Sequence, residues 1–170
     1  MKRTIVLLTA LFLGTAAMAQ HELGAGLEAA LPMGDFGKSN SFGIGATLKY
    51  AYNFGESSAI TATAGYITYA GKEQDIMGFK VKGVAMGQIP FKVGYRHSFS
   101  GFYVEPQLGF SSFSASGGGS TSGFTYAANL GYKVSKFDLS ARYESVSVTG
   151  GSLGLVGFRV GYIFMGGDDK

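Results

Sequence analysis

The sequence predicts an all-β protein, an eight-stranded antiparallel up-and-down transmembrane β-barrel. Three observations carry that prediction. Bulky apolar residues alternate with small or polar ones over windows of ten or more positions, the period of a strand with one apolar face. Beyond residue 19 no apolar run reaches the roughly 18 residues that a membrane helix needs. The composition is rich in glycine (28 residues), phenylalanine (14) and tyrosine (10), with three prolines and no cysteine. The lack of cysteine excludes disulfides, a thiol nucleophile and a thiolate metal site.

The chain begins "MKRTIVLLTALFLGTAAMAQ". Lys2 and Arg3 precede an apolar stretch from Ile5 to Gly14, and Ala17-Met18-Ala19 forms a small-residue cleavage site. Residues 1–19 therefore read as a cleavable secretory signal peptide, with export as its consequence. Without Lys2 and Arg3, 12 basic residues face 11 acidic ones, a net charge of +1. No concentrated basic stripe exists, so nucleic acid is not an expected partner. The expected organisation is a barrel over 20–164 and a short polar tail over 165–170.

Eight strands are predicted, at 21–31, 42–54, 59–70, 83–96, 101–114, 123–134, 137–147 and 153–164. In "SFGIGATLKYAYNF", Phe42, Ile44, Ala46, Leu48, Tyr50, Tyr52 and Phe54 share one face, and Gly43, Gly45, Thr47, Lys49, Ala51 and Asn53 the other. The windows 123–134 and 153–164 repeat the pattern, while in 59–70 either parity could face outward. Connectors at 55–58, 97–100 and 135–136 are short, and those at 32–41, 71–82, 114–122 and 147–152 mostly longer. Short turns at one end and longer loops at the other match an outer-membrane barrel.

A soluble barrel places its apolar face inside, whereas a membrane barrel places it toward lipid. An eight-stranded barrel has an interior only just wide enough for side chains, so bulky residues from every strand would overcrowd it. Glycines on the opposite face leave room there for long charged side chains. Eleven residues at about 3.3 Å rise and about 40° tilt span about 28 Å, close to the apolar band of an outer membrane. The membrane barrel is therefore the predicted class and the soluble barrel its alternative.

Predicted inward charges are Glu28, Lys49, Lys92, Glu105, Lys133, Arg142, Glu144 and Arg159. Their mixed signs predict ion pairs bridging the lumen, since an unpaired charge there would be strongly penalised. The "HSFS" turn, taken as even, sets Lys92 opposite Glu105 and Phe91 opposite Pro106. It also brings Pro90 and Pro106 to one height, where a bulge or open ladder is expected. Glu105 and Glu144 read as paired structural anions rather than a catalytic pair. "GGGSTSG" at 117–123 lacks the lysine of a phosphate loop. His21 and His97 are both expected at the short-turn end.

At "LPMGDFG", "QIPFKVGYRHSF" followed by "GFYVEPQLGF", and the final "VGFRVGYIF", the chain resembles the small eight-stranded outer-membrane barrels of the OmpA/OmpX type, a porin-like family. The resemblance covers nearly all of the chain after the leader. It implies an outer-membrane location, partnership with the barrel assembly machinery, and an aromatic last-strand assembly signal at Phe158, Tyr162 and Phe164. Lipid enzymes of this architecture use a histidine near the outer leaflet, the end opposite to His21 and His97. The expected function is a structural or surface-interaction role with an ion-paired, plugged lumen, no enzyme activity, no cofactor and no metal. The alternatives are a narrow diffusion pore and an enzyme modifying lipid A. Lys38, Lys72, Lys80 and Lys82, in or beside the outer loops, are candidates for contact with lipopolysaccharide phosphates, and loops 32–41, 71–82, 114–122 and 147–152 for extracellular ligands.

Overall fold

The structure, a computed structural model, describes residues 20–76, 79–81 and 83–166, and the side chains of 74–82 lie outside that description. The leader expected over 1–19 and the last four residues of the expected tail also lie outside it. Eight strands form a closed antiparallel meander: β1 (His21–Met33), β2 (Asn40–Asn53), β3 (Ser58–Gly71), β6 (Met86–Phe99), β7 (Phe102–Ala115), β8 (Ser120–Val134), β9 (Phe137–Val148) and β10 (Gly151–Met165). Two short strands, β4 (Gln74–Ile76) and β5 (Phe79–Val81), pair with each other between β3 and β6. β10 closes the barrel on β1, with Leu27 opposite Val160 and Glu28 opposite Arg159.

Alternation decides the two surfaces. Leu27 (73% exposed), Phe110 and Leu130 (65% each), with the other large apolar side chains of that parity, cover the outer wall. In β3 the inward set is Thr61, Thr63, Ile67 and Tyr69, with Ile60 and Tyr66 outside. That settles the parity left open by the sequence.

Several connections differ from expectation. The 32–41 segment contains a short helix, α1 (Gly34–Ser39), with Phe36 buried. The 114–122 loop shrinks to residues 116–119, and 147–152 to a two-residue turn at Thr149–Gly150, because the flanking strands continue pairing. The barrel likewise runs to Met165 rather than ending at 164. The long connection at 71–82 holds the β4–β5 pair.

The β6–β7 turn is Ser100–Gly101 rather than 97–100. Both residues take positive φ, 48° and 91°, as a two-residue type I′ hairpin turn requires. His97 and Phe99 consequently belong to β6. The register moves with the turn: Lys92 pairs with Gly109 and Phe91 with Phe110. The two prolines are not at one height. Pro90 interrupts the β3–β6 ladder between Ala64–Phe91 and Ile67–Gln88, and Pro106 the β6–β7 ladder between Gly94–Gln107 and His97–Val104. Register is unchanged across both gaps, so each missing N–H opens the ladder locally without a bulge.

Candidate functional site

The inward positions divide into two zones. From the short-turn end, charged side chains form one alternating chain. Lys133 Nζ lies 2.6 Å from Glu22, and Arg96 bridges Glu22 at 3.2 Å and Glu105 at 2.9 Å. Lys49 joins Glu105 (2.9 Å) to Asp138 (3.6 Å), and Arg159 joins Asp138 (2.9 Å) to Glu28 (3.9 Å). Arg142 links Glu28 at 3.1 Å to Glu144 at 3.0 Å, and Lys92 ends the chain on Glu144. Each carboxylate thus meets two cations. Such sharing offsets the desolvation that an isolated pair would suffer.

Neutral groups complete the coordination. Thr61 donates to Glu105 Oε1, Thr47 donates to Glu28 Oε1, and the Asn129 amide donates to the Glu105 carbonyl. The Tyr103 hydroxyl donates to Asp138, and its ring carries Arg96 at 4.8 Å and Lys49 at 5.1 Å. That ring fits because position 131 is glycine: a Cβ there would collide with it. Arg142 Nε faces Glu144 without an aligned hydrogen bond, and Arg142 Nη2 and Gln107 Oε1 have no hydrogen-bond partner among the described residues.

All eight inward charges named from the sequence lie on the interior surface. Glu105 meets Lys49 and Arg96, not Lys92. Sequence reasoning missed Glu22, Arg96 and Asp138, which hold the short-turn half together. Each shares parity with a named charge in its own strand (Glu28, Lys92 and Arg142), so alternation was a sufficient signal.

At the other end the interior turns apolar. Ala30, Ile67, Tyr69, Phe113, Val146 and Leu155 cluster there, and Phe36 of α1 closes over them. Its ring meets Tyr69 and Phe113 edge-on, at centroid distances of 5.1 and 5.8 Å. One polar thread joins the zones. Tyr69 donates its hydroxyl to Gln88 Oε1 at 2.6 Å, and Gln88 Nε2 donates to Glu144 at 2.7 Å and Ser111 at 3.1 Å.

At the loop-bearing rim, Lys38 pairs with Asp35 at 2.7 Å, both exposed. The hydrogen bond from Lys38, helped by its charge, lowers the Asp35 pKa, and the same bond raises that of Lys38. Lys72 donates to the Gly37 carbonyl at 2.6 Å, fastening the end of β3 to α1. Lys80, in its side chain, and Lys82 lie outside the described residues. Phe158, Tyr162 and Phe164 all face outward on β10. Both histidines stand at the short-turn end, His21 against Tyr50 and Tyr52 and His97 against Phe99. No cluster of metal-ligating side chains occurs among the described residues.

A closed meander of eight strands, apolar outside and charged within, is the fold of the small outer-membrane barrels. Among solved structures, it is similar to Ail, the attachment invasion locus protein of Yersinia pestis, at 18% identity and a TM-score of 0.58 over 85% of this chain and 97% of Ail. Ail in complex with the heparin analogue sucrose octasulfate superposes at a TM-score of 0.60, again at 18% identity and the same coverage. Neisserial surface protein A matches at 17% identity and a TM-score of 0.53, over 85% of this chain and 97% of that one. At these identities the likeness establishes the fold. No protein-family model matches the sequence, and no curated protein does.

Proposed function

We propose that this protein is a non-enzymatic, integral outer-membrane barrel that acts as a sealed scaffold, presenting its loop-bearing rim to the outside. One observation supports the reading: the alternating ionic chain runs into the apolar cap, an arrangement that favours a closed axis with paired charge below and hydrocarbon above. The membrane location is supported by the outer wall, where exposed aromatics ring the short-turn end at Tyr52, Tyr95, Phe102, Tyr132 and Tyr162. Interfacial aromatic belts have that character. The leader expected over 1–19 supplies the export route.

Lys38 and Lys72 at the loop-bearing rim, together with Lys80 and Lys82 by their place in the sequence, are assigned to contact with lipopolysaccharide phosphates, and Ail in complex with the heparin analogue sucrose octasulfate is a precedent for a polyanionic ligand on this fold. Phe158, Tyr162 and Phe164, on the strand that closes the barrel, are assigned to recognition by the assembly machinery. Planar-bilayer recordings of the purified full chain test the sealed lumen. We expect no steady conductance at neutral pH. Stable single-channel steps would replace this reading with a narrow pore.

A further inference from the structure

The lipid-facing wall is not smooth on one side. A groove of about 560 Å³ runs over β7–β10 between Phe102, Leu130, Ala141 and Phe158. A second, of about 280 Å³, lies over β10, β1 and β2 against Ala25, Leu27 and Ala46. Val160 lines both, so the two depressions lie on either side of one wall. Phe137 and Tyr162 extend that wall toward the short-turn rim, their rings edge-to-face at 5.5 Å. At its foot stands Lys136, in the β8–β9 turn. Its carbonyl accepts a hydrogen bond from Ile163 N at 2.8 Å, which fixes the turn beside Tyr162. Lys136 is exposed and, among the described residues, pairs with no carboxylate, unlike Lys133 of the preceding strand, which turns inward onto Glu22.

From this geometry we infer that the paired grooves are a binding site for one diacyl phospholipid of anionic headgroup. One acyl chain lies on each side of the Val160 wall, and the phosphate is held at Lys136. Three features select this occupant over others. Two apolar channels meeting at one wall match a lipid with two tails. The ammonium, unpaired among the described residues, sits where those channels approach the short-turn rim, the depth at which a phosphate lies if the outer wall spans the bilayer. A lysine near a lipid surface favours an anionic headgroup by about 1 kcal/mol, about fivefold in occupancy. The inference rests on the membrane reading proposed above.

The chain contains no tryptophan, so a single indole reports its own surroundings. Phe158→Trp places it in the larger groove, and Ile60→Trp places it on the exposed face of β3, across the barrel. Each full-length variant is reconstituted in phosphatidylcholine vesicles with a minor fraction of phosphatidylglycerol carrying brominated acyl chains. We expect stronger quenching at position 158 than at position 60, reflecting about fivefold local enrichment. The excess should vanish with Lys136→Glu or when bromine is moved to phosphatidylcholine. Equal quenching at both positions overturns the site and leaves only annular lipid. An excess insensitive to headgroup and to Lys136→Glu overturns the assigned phosphate contact. Weaker quenching at 158 than at 60 means a second protein copy covers the groove, which also overturns it. No quenching at either position instead defeats the membrane reading itself.

Discussion

The two halves of the barrel interior obey one alternation rule and carry opposite chemistry. On β7 the inward residues run Tyr103, Glu105, Gln107, Ser111, Phe113, and on β9 they run Asp138, Arg142, Glu144, Val146. Both strands pass from charge to hydrocarbon in the same direction. The short-turn half solves burial by pairing, with each carboxylate between two cations. The loop-end half solves it with ordinary core packing, completed by Phe36 from outside the sheet. The difference teaches where each half is vulnerable. An ionic chain is sensitive to the loss of a shared interior member, and an apolar cap to the loss of volume.

Breaking the ionic half at Glu105, which holds two cations and also accepts from Thr61 and Gln107, should have the largest effect. Glu105→Ala leaves Lys49 and Arg96 facing each other without their common anion. Removing one partner of a buried pair costs about 3–5 kcal/mol. Urea unfolding of the vesicle-reconstituted barrel, followed by heat-modifiable gel mobility, should show a loss of that size. Phe36→Ala strikes the cap instead. Truncating a buried phenylalanine costs at least about 3 kcal/mol in a closed core. Here α1 can detach, so the loss should fall at or below that value and appear as faster proteolysis between residues 34 and 39. If Phe36→Ala destabilises the barrel more than Glu105→Ala, the apolar cap dominates and the contrast is reversed.

The same contrast explains what the sequence made legible. Seven strands showed clear parity because bulky outer residues faced glycine, threonine or charge. β3 did not, because its loop-end half points Ile67 and Tyr69 into the cap while Tyr66 faces out. Apolar residues on both faces erase the alternation there. The eight named charges follow from parity alone, whereas their pairing depends on register. Register in turn depends on which residues make the turn. "HSFS" looks like a polar turn, yet Ser100 at φ 48° followed by Gly101 moves the hairpin two residues along and gives Glu105 to Arg96. Phe36 was hidden for another reason. A lone phenylalanine within "PMGDFGKSNS" carries no periodicity, and only its contacts with Tyr69 and Phe113 reveal that it belongs to the core.

The end of the ionic chain gives the smallest and sharpest test. Lys92 is fully buried and touches one carboxylate, Glu144, which also has Arg142 at 3.0 Å and the Gln88 amide at 2.7 Å. Lys92→Met removes a terminal cation and keeps most of its volume. Glu144 remains charged and partnered, and the desolvation cost of the ammonium disappears. Replacing a buried ionic group by an apolar one of similar volume is often neutral or stabilising when no charge is stranded. The net change should therefore stay within about 1 kcal/mol of zero, several-fold smaller than for Glu105→Ala, in the same urea titration. A loss as large as that of Glu105→Ala would mean that stability resides in the total lumen charge rather than in the sharing of each carboxylate. The ionic half would then act as a single electrostatic unit, not as a chain with strong links and weak ends.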